Sequence, residues 1–212
     1  MADMIFKYSA MNGGKTINLL QTAYSYEVNN FRPIIIKSIK DTKGNNTVVS
    51  RNGMSRLVDI LLGEDESLLT VDNYKIYYTA KVILVDEVEL LNETQIKELW
   101  MIAHLINIPV ICYGLKSNFK GDIFSDGIGQ IFAIADHTEE IGSSSVCFCG
   151  KKAIFNARRE NGKYVLDGPN IIIDDGTTDV EYVSLCSDCF LKYVKITSIE
   201  AKKLAELVDK IK

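Results

Sequence analysis

Long apolar runs and an excess of basic residues are both missing from this 212-residue sequence. No run approaches the ~20 residues that span a bilayer, and the opening residues lack the basic-then-apolar pattern of a signal peptide, so we expect a cytoplasmic protein without a membrane partner. Lys and Arg number 24 against 28 Asp and Glu and are scattered, which argues against a nucleic-acid partner. The two histidines, His104 and His137, are isolated, and neither is assigned any chemistry.

Apolar strands alternate with helical patterns over the first two-thirds of the chain, which predicts an α/β fold with a parallel sheet covered on both faces. The sequence predicts strands at residues 4–8, 33–39, 81–85 and 109–113, and helices at residues 17–28, 54–62 and 92–107. After Ser143 the sequence pattern changes to one of short strands, turns and cysteines. We therefore expect an α/β nucleotide-binding domain at 1–142, a small β-rich module at 143–195 and a C-terminal helix at 196–212.

A phosphate-binding loop is predicted between the first strand and the first helix. Strand, glycine-containing loop and helix is the context in which backbone N–H groups and a helix N-terminus hold phosphate. Lys15 would reach the β and γ phosphates, and the Thr16 hydroxyl would bind Mg²⁺. Serine stands where such loops usually begin with glycine, and the alternative is a plain turn between strand and helix. The loop residues are Ser9, Ala10, Met11, Asn12, Gly13, Gly14, Lys15 and Thr16.

Two carboxylates follow the apolar strand at residues 81–85. An acidic residue at the end of a buried strand, downstream of a phosphate loop, is where such folds place the magnesium-handling carboxylate, and Asp86 fits that position. Glu87 would then face the substrate as a general base. The alternative is a solvated acidic turn, and Glu89 is either a third participant or simply exposed.

Four cysteines form two close pairs, a Cys-x-Cys pair and a Cys-x-x-Cys pair, separated by a β-rich segment. This pattern is typical of a structural zinc site with four cysteine ligands. The predicted ligands are Cys147, Cys149, Cys186 and Cys189. Cys112 lies inside a predicted strand and is interpreted as a core residue.

In this order the motifs resemble the type II thymidine kinases, a zinc-containing family. The chain is similar to the enterobacterial and phage branch, and the resemblance covers about residues 3–192. The residues that carry it, besides the loop and the cysteines, are Leu84-Val85-Asp86-Glu87, the run from Pro109 to Leu115, Phe119-Lys120-Gly121, Ser50-Arg51-Asn52-Gly53 and Cys147-Phe148-Cys149-Gly150.

The resemblance implies a kinase that transfers the γ-phosphoryl group of ATP to the 5′-hydroxyl of thymidine in nucleotide salvage, with Mg²⁺ and a structural Zn²⁺. Glu87 would accept the hydroxyl proton, and the loop with Asp86, Val88 and Glu89 would bind ATP. The family is commonly tetrameric, which implies a homotetramer. The implied nucleoside contacts come from a lid at 115–124 and a lasso at about 171–182, and comprise Phe119, Phe124, Ile171, Ile173 and Tyr182.

This chain differs from the family pattern at Glu89, where glutamine is usual, and in the lid, where Lys116 and Lys120 replace arginines. These lysines are the only cations near Phe119 in the sequence, so we expect them to meet phosphate charge when the lid closes. The competing interpretation is a P-loop ATPase or switch protein that uses its zinc module to bind a partner. A nucleic-acid-binding zinc ribbon is a third, against which the acidic charge argues.

Overall fold

The computed structural model describes residues 1–142, 145–170, 179–194 and 199–211. Its residues form two compact units, which we call the sheet unit and the cysteine unit. The sheet unit comprises Met1–Ser9, Gly14–Lys116 and Ile123–Gly142. The cysteine unit comprises Ala10–Gly13, Ser117–Asp122 and Ser143–Lys212.

A six-stranded parallel sheet forms the centre of the sheet unit. In chain order its strands are β1 (Met4–Tyr8), β2 (Pro33–Ser38), β5 (Ile60–Leu62), β6 (Val82–Asp86), β7 (Val110–Gly114) and β8 (His137–Glu140). They lie in the order β5-β2-β6-β7-β1-β8, and every neighbouring pair is parallel. A separate antiparallel hairpin joins β3 (Thr47–Val49) to β4 (Ser55–Leu57).

Helices connect these strands. They are α1 (Lys15–Glu27), α2 (Val71–Tyr77), α3 (Glu93–Met101) and α4 (Asp126–Ile134). The Asn92 side chain accepts from the Gln95 N–H while the Gln95 side chain accepts from the Asn92 N–H, a reciprocal cap that fixes the start of α3. After Met101 the helix continues as a π-helical segment, Ile102–Ile106, and ends at Asn107, whose φ is 61°. The predicted helix at 92–107 is therefore confirmed.

Hydrophobic packing on both faces of the sheet explains why its strands are continuously apolar. On β2, Ile34 and Ile36 pack in one buried cluster and Ile35 packs in another. Successive side chains of a strand point to opposite faces, so a strand covered on both sides needs apolar residues at every position. The predicted parallel α/β architecture is confirmed.

The cysteine unit contains a three-stranded antiparallel sheet with the order β10-β9-β11. Its elements are β9 (Phe155–Glu160), β10 (Lys163–Val165), β11 (Val180–Leu185), α5 (Ser187–Tyr193) and α6 (Ile199–Ile211). The turn between β9 and β10 uses Asn161 and Gly162, both with positive φ. None of the helices in the described part of the chain is long and apolar enough to cross a membrane.

The predicted helix at residues 54–62 is wrong, because the segment forms two strands. Ser55–Leu57 pairs with β3, and Ile60–Leu62 pairs with β2 at the edge of the parallel sheet. Leu57 is 72% exposed, whereas Ile60 is 7% exposed. Nine residues are too few for helical spacing to be distinguished from strand alternation, and pairing with β2 decides the outcome.

Candidate functional site

The loop after β1 has the backbone of a tight, anchored turn. The Gly13 N–H donates to the Ala10 carbonyl at 3.1 Å, and Asn12 and Gly14 have φ values of 64° and 85°. Gly14 immediately precedes α1, and this left-handed conformation is one that glycine adopts without strain. The helix begins at Lys15, two residues before the predicted start, so Lys15 and Thr16 lie in its first turn.

Asp86 is the last residue of β6 and is almost completely buried, at 4% exposure. Its Oδ1 has no hydrogen-bond partner among the described residues. Burial raises the pKa of Asp86 to about 7, with the charges of Glu87 and Asp41 adding to the shift and that of Lys15 opposing it. A solvated acidic turn is therefore excluded at this position.

Glu87 lies where β6 turns into a short 3₁₀ segment, Val88–Leu90. Its φ is 46° and its ψ is 51°, a left-handed conformation that costs a non-glycine residue roughly 1–2 kcal/mol. Its side chain is partly exposed. Backbone strain of this kind persists only when surrounding structure enforces it, and it is concentrated at functional sites.

Glu89 is buried at 4% exposure, so the interpretation of it as an exposed residue is wrong. Burial raises the pKa of Glu89 well above its usual range, and the neighbouring Glu87 carboxylate raises it further. A Cβ on Gly114, at the end of β7, would lie 2.5 Å from Glu89 Oε2 and 2.7 Å from Val88 Cγ1. Glycine at 114 therefore makes room for the Glu89 side chain.

Lys37 and Asp41 form a buried ion pair that the sequence analysis missed. Lys37 is fully buried on β2, pairs in register with Asp86, and its Nζ lies 3.0 Å from Asp41 Oδ2. Nζ also donates to the carbonyl oxygens of Lys43 and Asn45. The sequence signal for this pair was a lysine near the end of an otherwise apolar strand. The contacts of Lys37 fix the segment that carries Asp41.

The four cysteines are brought together in the cysteine unit. Their Sγ atoms all lie within 4.8 Å of one another, and those of Cys149 and Cys186 are 3.6 Å apart. Four sulfurs around one Zn²⁺ at ~2.3 Å would be separated by about 3.8 Å, so the cluster fits a tetrahedral zinc site. The Gly150 N–H donates to the Cys147 carbonyl at 2.8 Å, which closes the turn between the first two ligands.

Arg158 is a second residue that the sequence analysis missed, and it lies against Phe119 in the predicted lid. The arginine is 1% exposed, and its guanidinium carbon lies 3.8 Å from the centre of the Phe119 ring. It donates to the carbonyl oxygens of Asp167 at 2.5 Å and Pro169 at 2.6 Å. The prediction that Lys116 and Lys120 are the cations near Phe119 was therefore incomplete, although Lys120 Nζ does lie 5.5 Å from that ring.

Phe124 and Tyr182, two further predicted nucleoside contacts, belong to different units. Phe124 is partly buried and packs against the core of the sheet unit. Tyr182, on β11, is partly exposed and lies opposite Arg158 in the strand register. Ile171 and Ile173 lie outside the described residues.

Cys112 is fully buried on β7, and burial raises the pKa of its thiol, as expected of an unreactive core residue. His104 Nε2 lies 3.2 Å from Asp136 Oδ2. Asp136 directly precedes β8 whereas Asp86 ends β6, so they lie at opposite ends of the parallel strands. The described residues give neither Cys112 nor His104 a place in the site.

A parallel sheet, a phosphate-type loop and a buried carboxylate at the end of β6 define a P-loop NTPase-like protein with an added cysteine cluster. Comparison with known proteins narrows this class. The family model described as thymidine kinase matches residues 2–190. The chain belongs to the thymidine kinase family.

Individual relatives agree with this assignment over nearly their whole length. The thymidine kinase of Francisella tularensis subsp. tularensis is 39% identical over 190 residues, covering 88% of this chain and 95% of the relative. That of Enterobacteria phage T4 is 36% identical over 194 residues, covering 88% of this chain and 94% of the relative. Against this background, the interpretation as an ATPase or switch protein is not favoured.

A solved structure described as AMPPCP-bound DnaA from Aquifex aeolicus is similar in fold; the match covers 68% of this chain and 42% of the DnaA chain. The TM-score is 0.41 and the identity is 18%, a likeness too low to carry an argument.

Proposed function

We propose that this protein transfers the γ-phosphoryl group of ATP to the 5′-hydroxyl of thymidine to give dTMP, and that it also accepts deoxyuridine. Membership of the thymidine kinase family supports the class of reaction. The observation that carries the proposal is the strand end at Asp86 and Glu87. There the buried Asp86 carboxylate has one oxygen without a hydrogen-bond partner among the described residues, and the charge of Lys15 acts on it. The neighbouring Glu87 has a strained backbone.

ATP would be held by the loop from Ser9 to Thr16. Its backbone N–H groups and the start of α1 favour phosphate, and Lys15 adds a full positive charge next to the β and γ phosphates. Thr16 and Asp86 would hold Mg²⁺, which neutralises phosphate charge when bound. Val88 and Glu89 follow directly after Glu87, and we assign them to the ATP side of the site.

Glu87 is the proposed general base. As the thymidine 5′-oxygen forms its bond to the γ-phosphorus, its proton passes to the Glu87 carboxylate, and the bond between the γ-phosphorus and the bridging oxygen breaks to release ADP. A partly exposed carboxylate is suited to this task because a substrate hydroxyl can reach it. The buried Asp86 and Glu89 on either side restrict where its backbone can go.

Thymidine would be bound by the lid and the lasso. The proposed contacts are Phe119, Phe124 and Tyr182, together with Ile171 and Ile173. The four cysteines would hold one structural zinc ion that joins the two ends of this module, since a site with four protein ligands leaves no position for a substrate. We further propose a cytoplasmic homotetramer that does not bind nucleic acid.

A coupled assay of ADP formation tests this function. We expect ADP release that depends on thymidine and is matched by an equal amount of dTMP. ADP release should be almost as fast with deoxyuridine, which would give dUMP. ADP release of the same rate without any nucleoside would overturn the proposal and return the protein to the ATPase class. Deoxycytidine is the matched control substrate, because it carries the same sugar and 5′-hydroxyl but a different pattern of base donors and acceptors.

A further inference from the structure

Met11, in the middle of the phosphate loop, has both polar groups of its backbone held by side chains of the cysteine unit. Its N–H donates to Asn156 Oδ1 at 2.7 Å. Its carbonyl oxygen accepts from Ser145 Oγ at 2.6 Å and from Ser184 Oγ at 3.0 Å. Residues Ala10–Gly13 accordingly cluster with the cysteine unit. We call Asn156, Ser145 and Ser184 the Met11 clamp.

The clamp is built on the same framework as the cysteine cluster. Asn156 and Ser184 lie directly opposite each other on β9 and β11. The Ser145 carbonyl accepts from the Ala153 N–H at 2.8 Å, which fixes the third member just before Cys147. Ser184 lies two residues before Cys186. Each member is therefore placed by backbone pairing that the proposed zinc ligands also share.

Burial makes these hydrogen bonds important. Ser145 and Asn156 are only 3% and 4% exposed. Removing one partner of a buried hydrogen bond leaves the other without a substitute, which costs more than the bond contributes. Three side chains from three separate segments bind the backbone of this one residue. They exceed what a turn needs to form, because the Gly13 N–H already closes this turn on the Ala10 carbonyl.

We propose that the Met11 clamp positions the phosphate loop for ATP, so that the cysteine unit contributes to nucleotide binding as well as to nucleoside binding. Since the clamp occupies the Met11 N–H and carbonyl, the loop is fixed before the ligand arrives and loses less conformational freedom on binding. Asn156, Ser145 and Ser184 are positioning residues, and none of them needs to touch ATP. The proposal rests on the proposed function of the loop.

Calorimetric binding of a non-hydrolysable ATP analogue with Mg²⁺ tests the clamp. We expect the double variant Ser145→Ala, Ser184→Ala to bind the analogue roughly 10-fold or more weakly, because the Met11 carbonyl loses both donors. Its KM for ATP should rise more than its kcat falls. The conservative variants Ser145→Thr and Ser184→Thr keep the hydroxyl and should restore most of the affinity.

Ser187→Ala is the matched control, since it removes an exposed hydroxyl from the same unit without touching Met11. The single variant Ser184→Ala serves if the double variant does not fold, and it should weaken the analogue measurably. Wild-type affinity in a folded Ser184→Ala or double variant would overturn the clamp. Thymidine-dependent ADP formation by the wild type, measured in parallel, reports on the function itself, so failure of the clamp and failure of the function are distinguishable.

Discussion

The strand end of β6 and the middle of β9 both bury charged side chains, but they treat them in opposite ways. In the sheet unit, Asp86 Oδ1 and Glu89 Oε2 are buried without hydrogen-bond partners among the described residues. In the cysteine unit, Arg158 stacks on Phe119 and donates to two carbonyl oxygens. Its Nε also lies 3.0 Å from Glu160 Oε1, an ion pair without hydrogen-bond geometry.

This difference separates a group prepared for a ligand from a group that organises the fold. A buried carboxylate without a partner is costly and is retained where a cation will satisfy it, which fits the proposed magnesium and ATP site. A guanidinium that is buried against an aromatic ring and donates from both terminal nitrogens to carbonyls is a structural centre. It holds Phe119 of the predicted lid against the segment at Asp167 and Pro169. The following experiments test this division from the largest expected effect to the smallest.

Loss of the proposed zinc should affect the cysteine unit first. We expect purified protein to contain one zinc ion per chain, and Cys186→Ser to lose it, since a structural zinc site contributes on the order of 10 kcal/mol to folding of its module. Hydrogen exchange should then rise across β9 and β11 while β2 and β6 stay protected. Cys112→Ala, a buried cysteine outside the cluster, is the control and should keep its zinc.

Zinc content unchanged in Cys186→Ser would remove the metal assignment. Equal loss of hydrogen-exchange protection in both units would show that the two units do not unfold separately, which contradicts the comparison.

Replacing Glu87 should change chemistry and leave the fold intact. Glu87→Gln keeps the shape of the side chain but cannot accept a proton, so turnover should fall by roughly 10²–10⁴ while the ATP analogue still binds. Steady-state kinetics and calorimetry on one preparation make the measurement, with the exposed Glu206→Gln as control. Near-normal turnover in Glu87→Gln would reassign the base.

The sequence predicted the parallel sheet because its central strands are continuously apolar, as strands packed on both faces of a sheet must be. It also predicted the cysteine cluster, since a metal site needs ligand types at close spacing that are visible in one dimension. Residues 54–62 were predicted wrongly because the spacing within the segment does not show that it pairs with β3 and β2. Pairing with them, not local spacing, decides the conformation.

Arg158 and the Met11 clamp were missed for a related reason. In sequence, the arginine of Ala157-Arg158-Arg159-Glu160 resembles an exposed strand residue. Its burial depends on the Phe119 ring and on the carbonyls of Asp167 and Pro169, 9 and 11 positions away. Serines and asparagines carry no pattern that distinguishes a loop anchor from a surface residue. These roles depend on partners in other segments of the chain: Met11 and Asn156, for example, are 145 positions apart.

Removing the Arg158 guanidinium should loosen the cysteine unit. Arg158→Met keeps much of the side-chain volume but leaves the carbonyls of Asp167 and Pro169 without their donor, so we expect a loss of about 2–4 kcal/mol in the free energy of unfolding. Urea unfolding measures this, and the KM for thymidine should rise more than that for ATP.

The neighbouring Arg159→Met is the control. Its ion pair with Glu181 is partly exposed and should contribute less than about 1 kcal/mol. Equal effects of the two substitutions would contradict the role of Arg158 as a buried centre.

The smallest effect concerns the proton on Glu89. Because burial and the neighbouring Glu87 raise the pKa of Glu89 in the folded protein, the folded state keeps its proton at pH values where the unfolded state, with a pKa near 4.5, has lost it. Stability falls with pH wherever the folded state binds more protons, so the contribution of Glu89 is fully present below about pH 4.5 and declines as the pH rises towards its folded pKa.

Glu89→Gln removes this group, and its amide stays neutral throughout. Without ATP and Mg²⁺, we therefore expect the variant to match the wild type in acid and to exceed its free energy of unfolding near neutral pH, by on the order of 1 kcal/mol, the cost of one buried polar atom without a partner. The slope that remains in the variant belongs in part to Asp86, whose pKa is raised to about 7. Urea unfolding from pH 4 to pH 8 checks the difference, with Glu206→Gln again as the control. Parallel curves for the wild type and Glu89→Gln would mean that Glu89 has a partner for its charge, and the contrast with Arg158 would then rest on Asp86 alone.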